Sequence, residues 1–240
     1  MPHVDLNSDV GEGFGVYPGG PDEQLVPLLT SVNVACGYHA GDPTTMRRTC
    51  ALAVAHSCVI GAQVSYPDLL GFGRRFIEMS PTDLTDAVVY QIGALDAFAG
   101  VHGTRVRYVK PHGALYNAIV HHERQADAVA AAVREYDPGL AMLGLPDSQA
   151  QLAAERAGLQ FVREGFADRR YTAERTLVPR TESGALLTDP ADAAVQAVEL
   201  AVGGVQSICV HSDTPGAAAI LVAVRGALVD AGYAIDPFLP

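Results

Sequence analysis

Short apolar runs rich in β-branched residues alternate with helical patterns along the entire chain, and this alternation constrains the fold more than any other feature. Predicted strands occupy residues 3–6, 31–35, 59–64, 105–110, 140–145, 161–164 and 207–211. Most of these runs show no clean in/out alternation, as expected for parallel strands covered on both faces. The helices between them are marked by their starts. Asp42-Pro43, Ser80-Pro81 and Asp189-Pro190 each set a capping oxygen before a proline at the first helical position. Leu84, Val88, Ile92, Leu95 and Ala99 form one apolar helical stripe. Ala218, Leu221, Val222, Arg225 and Leu228 predict a last helix that stops at Gly232. End-to-end alternation gives a parallel α/β fold, either a closed or nearly closed barrel or a doubly wound open sheet. Seven strands are counted, with no room for a full eighth unit after Ala231. No linker or composition break divides the chain, so residues 1–240 read as one domain.

Polar and ionisable residues cluster just beyond the C-terminal ends of six of these strands. They are Asn7, Asp9 and Glu12; Cys36, Tyr38, His39 and Asp42; Gln63, Ser65, Tyr66 and Asp68; Lys110, His112, Tyr116 and Asn117; Glu164, Asp168 and Arg169; and His211 and Asp213. In a parallel sheet or barrel these ends share one face, where α/β enzymes place their sites. Asp5, Asp9, Glu12, His39, Lys110, His112, Glu164, Asp168, His211 and Asp213 supply the groups for general acid–base work or for a hard divalent ion. Arg74, Arg75 and Arg169, on two long irregular stretches (65–79 and 167–187), could clamp a carboxylate. Asp42 and Thr214 read as helix caps, Cys36 as a buried thiol, and His3, His56, His102, His121 and His122 as surface or core.

Composition narrows the partners. Sixteen basic against 27 acidic residues leave a net charge of −11, the wrong sign for nucleic acid or an anionic membrane. No apolar stretch approaches the ~20 residues of a spanning helix. No signal peptide is visible and the four cysteines form no CxxC pair, so free thiols and a cytoplasmic location are expected. The only lysine, Lys110, stands among fifteen arginines and is followed by Pro111. It therefore belongs to no phosphate-binding GxxxxGK[ST] loop, and no GxSxG elbow is present. A single surviving ammonium is a candidate for chemistry that a guanidinium cannot do.

The blocks DLNSDVGEGFG (5–15), NVACGYHAGDP (33–43), SYPDLLGFGRR (65–75), YQIGAL (90–95), VKPHGALYN (109–117), FADRRY (166–171), LVPR (177–180) and ICVHSDTPGA (208–217) together resemble the LamB/YcsF family, in order and over nearly the whole chain. The resemblance implies a seven-stranded TIM-like barrel of the glycoside hydrolase/deacetylase type. It also implies a part in the ATP-dependent opening of the 5-oxo-L-proline lactam to glutamate, with ATP and Mg²⁺ as co-substrate and two further subunits, B and C, as partners. On that reading Asp9, Glu12, Lys110 and His112 are catalytic. Asn7, Asn33, His39, Tyr66, Arg74, Tyr116, Asn117, Glu164, Asp168, Arg169, His211 and Asp213 bind substrate. The alternatives are a stand-alone metal-dependent deacetylase or carbohydrate hydrolase, and a non-catalytic partner subunit.

The chain departs from the family's pattern at three places. Gln63 stands where the family usually has histidine, Ser212 where it usually has glycine, and a segment before the last strand is short. Deacetylase relatives of the fold hold a metal with one Asp and two His. Asp9 and His39 are the candidates here, and Gln63 predicts that a transition metal is held weakly or not at all. Asp9, His39, Lys110, His112 and His211 are expected to open onto one cavity, and Lys110→Arg is expected to abolish activity with the fold intact.

Overall fold

The polar residues of the first strand decide how the chain closes. In the computed structural model, which describes residues 1–239, β1 (His3–Val10) runs four residues past its predicted end. It carries Asp5, Asn7 and Asp9 along one side and Leu6 and Val10 along the other. The apolar side joins the main core under the helices, with Val32, Val34, Ile60 and Val109 from neighbouring strands. The polar side faces the interior of a barrel. Strands β2 (Ser31–Ala35), β3 (Val59–Val64), β4 (Tyr108–Pro111), β5 (Ala141–Gly144), β6 (Gln160–Phe166) and β7 (Ser207–Cys209) follow in order, all parallel, and β1 pairs with both β2 and β7 to close the ring. This is the seven-stranded TIM-like barrel, and the open-sheet alternative falls away. An eighth strand, β8 (Ala234–Ile235), adds to the first residues of β1 outside the ring, beyond the predicted count. Pro240 of the 1–240 domain lies outside the described residues.

All three predicted Pro-led helix starts are present. Asp42 caps α2 (Pro43–Ala55), Ser80 caps α3 (Pro81–Val101) and Asp189 caps α7 (Pro190–Val202), each accepting from backbone N–H groups of the first turn. The short α1 (Asp22–Leu25), α4 (Gly113–His121), α5 (Glu123–Tyr136) and α6 (Gln149–Ala157) complete the outer layer with α8 (Ala217–Asp230). The buried face of α8 is Ala217, Ile220, Leu221, Val224 and Leu228, whereas Val222, placed on that stripe by the sequence, is 58% exposed. Thr214 is not its cap, since Gly216 holds that position.

The barrel interior is layered. At the bottom Tyr108, Ala141, Leu143 and Val162 pack with Leu239 of the C-terminal segment. Gly61 makes room for the Tyr108 ring, because a Cβ there would come within 2.2 Å of it. Above lies a fully bonded polar floor. Asp5 accepts from Ser31 at 2.8 Å, Thr30 at 2.6 Å and Ser207, and burial pushes its carboxyl up to about 6. Asn7 donates to Ser207 at 2.8 Å and to Glu164 at 3.1 Å, and accepts from Asn33 at 2.8 Å. Asn33 in turn donates to Asp9 at 2.9 Å and accepts from Tyr108 at 2.7 Å. Every member of this floor has partners, the condition for burying polar groups without a large penalty. Its top layer is the site.

Candidate active site

Lys110 is at the centre. Its Nζ lies 2.7 Å from Glu164 Oε1, 3.2 Å from Asp9 Oδ1, 3.2 Å from Asn7 Oδ1 and 3.3 Å from Cys209 Sγ, over the Phe166 ring. Burial works against the ammonium, yet Asp9, Cys209 and Glu164 raise it well above its ordinary value. Burial likewise works against the Asp9 carboxylate, and the Lys110 ammonium above all holds it well below the usual range. The centre is therefore a buried ion pair with nearly all its bonding capacity used.

Four of the sixteen predicted site residues are supports rather than walls. Asn7, Asn33, Glu164 and Asp168 lie beneath or behind the cavity of about 660 Å³ that opens over the strand ends. Tyr66 does not reach it either. Its hydroxyl turns outward to Gln125 on α5, because β3 ends at Val64 and the chain then bends away. His39 is buried one layer back, so the expectation that it shares the cavity wall is corrected. Asp9, Glu12, Lys110, His112, Arg74, Tyr116, Asn117, Arg169, His211 and Asp213 do line the cavity, which falls in the usual size range for a small-molecule site. Arg75 pairs with Asp68 on the outer side of its loop and plays no part in a clamp. His121, read as off the face, reaches the rim from the last turn of α4.

Sequence reasoning also missed Arg180. It lines the cavity and donates to both oxygens of Asp213 at 2.8 and 2.9 Å, while Arg74 donates to Asp213 at 2.7 Å. The LVPR block was its only signal. Arg169 is 95% buried; one end of its guanidinium donates to Val178 O at 2.6 Å, and its Nε has no partner. Ser212, the second departure, packs its side chain against Gly20, where a Cβ would come within 2.9 Å of it.

His211 stacks on Phe166 with ring centroids 5.0 Å apart, and its Nδ1 lies 3.1 Å from both oxygens of Asp168. Thr214 and the His211 backbone N–H also donate to that carboxylate, at 2.5 and 3.1 Å. Burial tends to raise Asp168, but His211 and these donors leave it below its ordinary value. An anion fixed on Nδ1 puts the His211 proton there and leaves Nε2 for the cavity, the arrangement of a general acid–base imidazole.

Across the cavity, Glu12, His39 and His112 bring one ligand-type atom each within 4.8 Å of one another. These atom types suit a transition ion, but the Gln63 carboxamide already sits among them. Its Nε2 lies 2.9 Å from Glu12 Oε1 and 3.0 Å from His112 Nδ1, and its Oε1 lies 3.1 Å from His39 Nε2. The residues present do not fit a metal as they stand. The other cysteine in this region, Cys36, is buried and donates to Val34 O at 3.0 Å; burial pushes its thiol far up, which fits an inert thiol rather than a nucleophile.

A closed parallel barrel with an ion-paired lysine, an oriented histidine and an arginine rim at its strand ends makes this an α/β-barrel protein with a candidate site in the usual place for such barrels. The family 4 carbohydrate esterase from Streptomyces lividans shares that fold, with a TM-score of 0.52 at 14% identity over 98% of this chain and 91% of its own. The chain belongs to the LamB/YcsF family, whose description matches residues 4–240. It is similar to the A subunit of 5-oxoprolinase from Kocuria rhizophila, 52% identical over 251 residues, covering 99% of this chain and 100% of the relative. It is also 52% identical to the A subunit of 5-oxoprolinase from Streptomyces avermitilis over 248 residues, 98% of this chain and 99% of the relative. Among solved structures it resembles the lactam utilization protein from Thermus thermophilus, with a TM-score of 0.93 and 39% identity over 98% of this chain and 100% of the other. No helix among the described residues is long and apolar enough to cross a membrane.

Proposed function

We propose that this chain is the A subunit of an ATP-dependent 5-oxoprolinase and contributes to opening the lactam of 5-oxo-L-proline to L-glutamate. Relatives about half identical over nearly their full length bear that name. The observation that carries the reading at the level of the site is Arg169. A buried guanidinium nitrogen without a partner, beside Arg180 in a cavity that also holds proton-transfer groups, is a receptor for a small carboxylate. An unstrained lactam is a poor electrophile. Transfer of the ATP γ-phosphoryl group, with Mg²⁺, to the lactam carbonyl oxygen forms a C–O–P bond and releases ADP. Water then adds to the activated carbon and the ring C–N bond breaks with the nitrogen taking a proton, which leaves an acyl phosphate; a second water hydrolyses that to the free carboxylate and inorganic phosphate. In that sequence Arg169 and Arg180 hold the substrate carboxylate, Glu12 and His211 move protons, and the Lys110 charge stabilises developing negative charge. Subunits B and C and a cytoplasmic location belong to the same proposal. The intact Lys110–Asp9–Glu164 centre speaks against a non-catalytic role, and the likeness to deacetylases is one of fold.

The test is ATP-dependent formation of glutamate from 5-oxo-L-proline by the chain mixed with its two partner subunits. Omitting this chain should abolish it; glutamate formation without the chain would overturn the reading. Arg169→Gln should raise KM on the order of ten- to a hundredfold with a smaller change in kcat, since hydrogen bonds to a charged group are worth about 1.5–3 kcal/mol. An unchanged KM would remove Arg169 from the substrate's carboxylate.

A further inference from the structure

The orientation of one backbone carbonyl sets the proton pattern of the whole Glu12–His39–His112 cluster. Phe72 O, 3.0 Å from His112 Nε2, can only accept, so His112 carries its proton on Nε2. The loop reaches this position because Gly73 and Gly113 meet backbone to backbone. A Cβ on Gly113 would come within 2.5 Å of Gly73 O, which accepts from Ala114 N at 2.8 Å. With Nε2 protonated, neutral His112 accepts at Nδ1, so the Gln63 nitrogen must face it. The second N–H of the same amide goes to Glu12 Oε1, and the amide oxygen is left to accept from His39 Nε2–H. His39 Nδ1 is then bare, and it is indeed a buried atom without a partner. The two imidazoles stack with centroids 4.0 Å apart and planes 11° apart, an arrangement that two charged rings would oppose.

We infer that Gln63 is a positioning residue that occupies the place of a cation: its carboxamide bonds all three convergent side chains, locks both histidines as Nε2–H tautomers and leaves Glu12 as the group of the cluster with an oxygen free for the cavity. His112 has both nitrogens engaged and His39 is walled off, so neither takes a substrate proton. The proton-transfer role assigned above to Glu12 follows from this lock, and only the activity part of the test rests on the proposed reaction.

Three measurements test the inference on the folded chain. In ¹⁵N spectra of histidine-labelled protein, both rings should show neutral Nε2–H shifts unchanged from pH 6 to pH 8. Addition of Co²⁺ should produce no visible ligand-field bands in the wild type. Gln63→Glu has the same shape but no donor, so it should bind one Co²⁺ per chain with a four-coordinate spectrum and shift both histidine signals. In the complex with its partner subunits, Gln63→Glu should lose roughly a hundredfold in kcat with little change in KM, as expected for a misplaced catalytic group. A wild-type protein that binds stoichiometric Co²⁺, or a histidine of the pair that titrates between pH 6 and 8, would overturn the inference whatever the fate of the variant. So would a Gln63→Glu protein that folds but neither binds Co²⁺ nor shifts the histidine signals. The tautomer and metal readouts stand even if the chain proves inactive on the lactam, so the two failures are distinguishable.

Discussion

Lys110→Met is expected to lower the melting temperature by roughly 10 °C at pH 7, a larger effect than any other single change at the strand ends. Removing one partner of a buried ion pair costs about 3–5 kcal/mol, and each kcal/mol shifts a domain of this size by about 2–4 °C. Here one ammonium serves two carboxylates, Asp9 at 3.2 Å on the cavity floor and the fully buried Glu164 at 2.7 Å. The loss should shrink on acidification. Asp9 is held below its ordinary value by Lys110, so its contribution to stability is present above the unfolded carboxyl's range and is lost as pH falls through the folded one. In the variant Asp9 takes up a proton instead, and acid closes the gap to the wild type. The sequence-based expectation for Lys110→Arg changes as well. Nζ is enclosed by Cys209 Sγ at 3.3 Å and the Phe166 ring, so a guanidinium overfills the site and costs about 1–3 kcal/mol. Activity should vanish in both variants, and the arginine protein should also melt lower rather than keep the fold untouched. Thermal melts from pH 3 to pH 8 check the set. A methionine variant that melts with the wild type would mean that the Lys110 ion pairs contribute nothing to stability.

The capping pairs made the helices legible because Asp-Pro and Ser-Pro act locally, and each of the three starts where the sequence placed it. The strands were legible in place but not in polarity. Residues 5–10 and 31–35 do alternate with period two, with Asp5, Asn7, Asp9, Ser31 and Asn33 inside and the apolar residues outside. That is the reverse of an ordinary half-buried strand. The inward residues therefore read as the start of a loop, and the pattern alone ends β1 at Leu6. Only closure of the ring gives each of these groups a partner, and closure is a tertiary event that no local window contains. The site was legible where residues follow strand ends directly, as at Asp9, Lys110 and His211. It was not legible where irregular chain returns. Arg180 arrives from the long segment after β6, and Phe72 O arrives from the 65–75 loop through the Gly73–Gly113 contact. Tyr66 shows the opposite error. It follows a strand end by two residues, but the bend after Val64 turns its ring away from the cavity and its hydroxyl toward Gln125.

Glu12→Gln is expected to reduce kcat by roughly 10²–10⁴ in the complex with its partner subunits, the usual worth of a positioned proton-transfer group, while making the chain more resistant to alkaline pH. Both effects come from one displaced equilibrium. Burial first, and the neighbouring Asp9 charge second, push the Glu12 carboxyl up to about 8. At pH 7 it holds its proton mostly on the oxygen not bonded to Gln63, and its basic form grows in as pH rises. The wild-type kcat/KM should therefore climb about tenfold per pH unit below that value and level off above it. The glutamine variant should show a low, flat profile over the same range. The stability effect has the opposite sign. A carboxyl raised in the folded state keeps a proton that the unfolded chain gives up, so the wild type loses stability as pH rises from about 4.5 to about 8. Glutamine cannot ionise, fits the same space and still accepts from Gln63 Nε2 through its carbonyl oxygen. At pH 9 the variant should melt at or above the wild type, although it is far less active. A residue that merely braced the barrel would lose stability and activity together. A Glu12→Gln protein that melts lower at pH 9, or that retains a wild-type rate, would show that the proton on Glu12 is neither displaced by its surroundings nor used in the reaction.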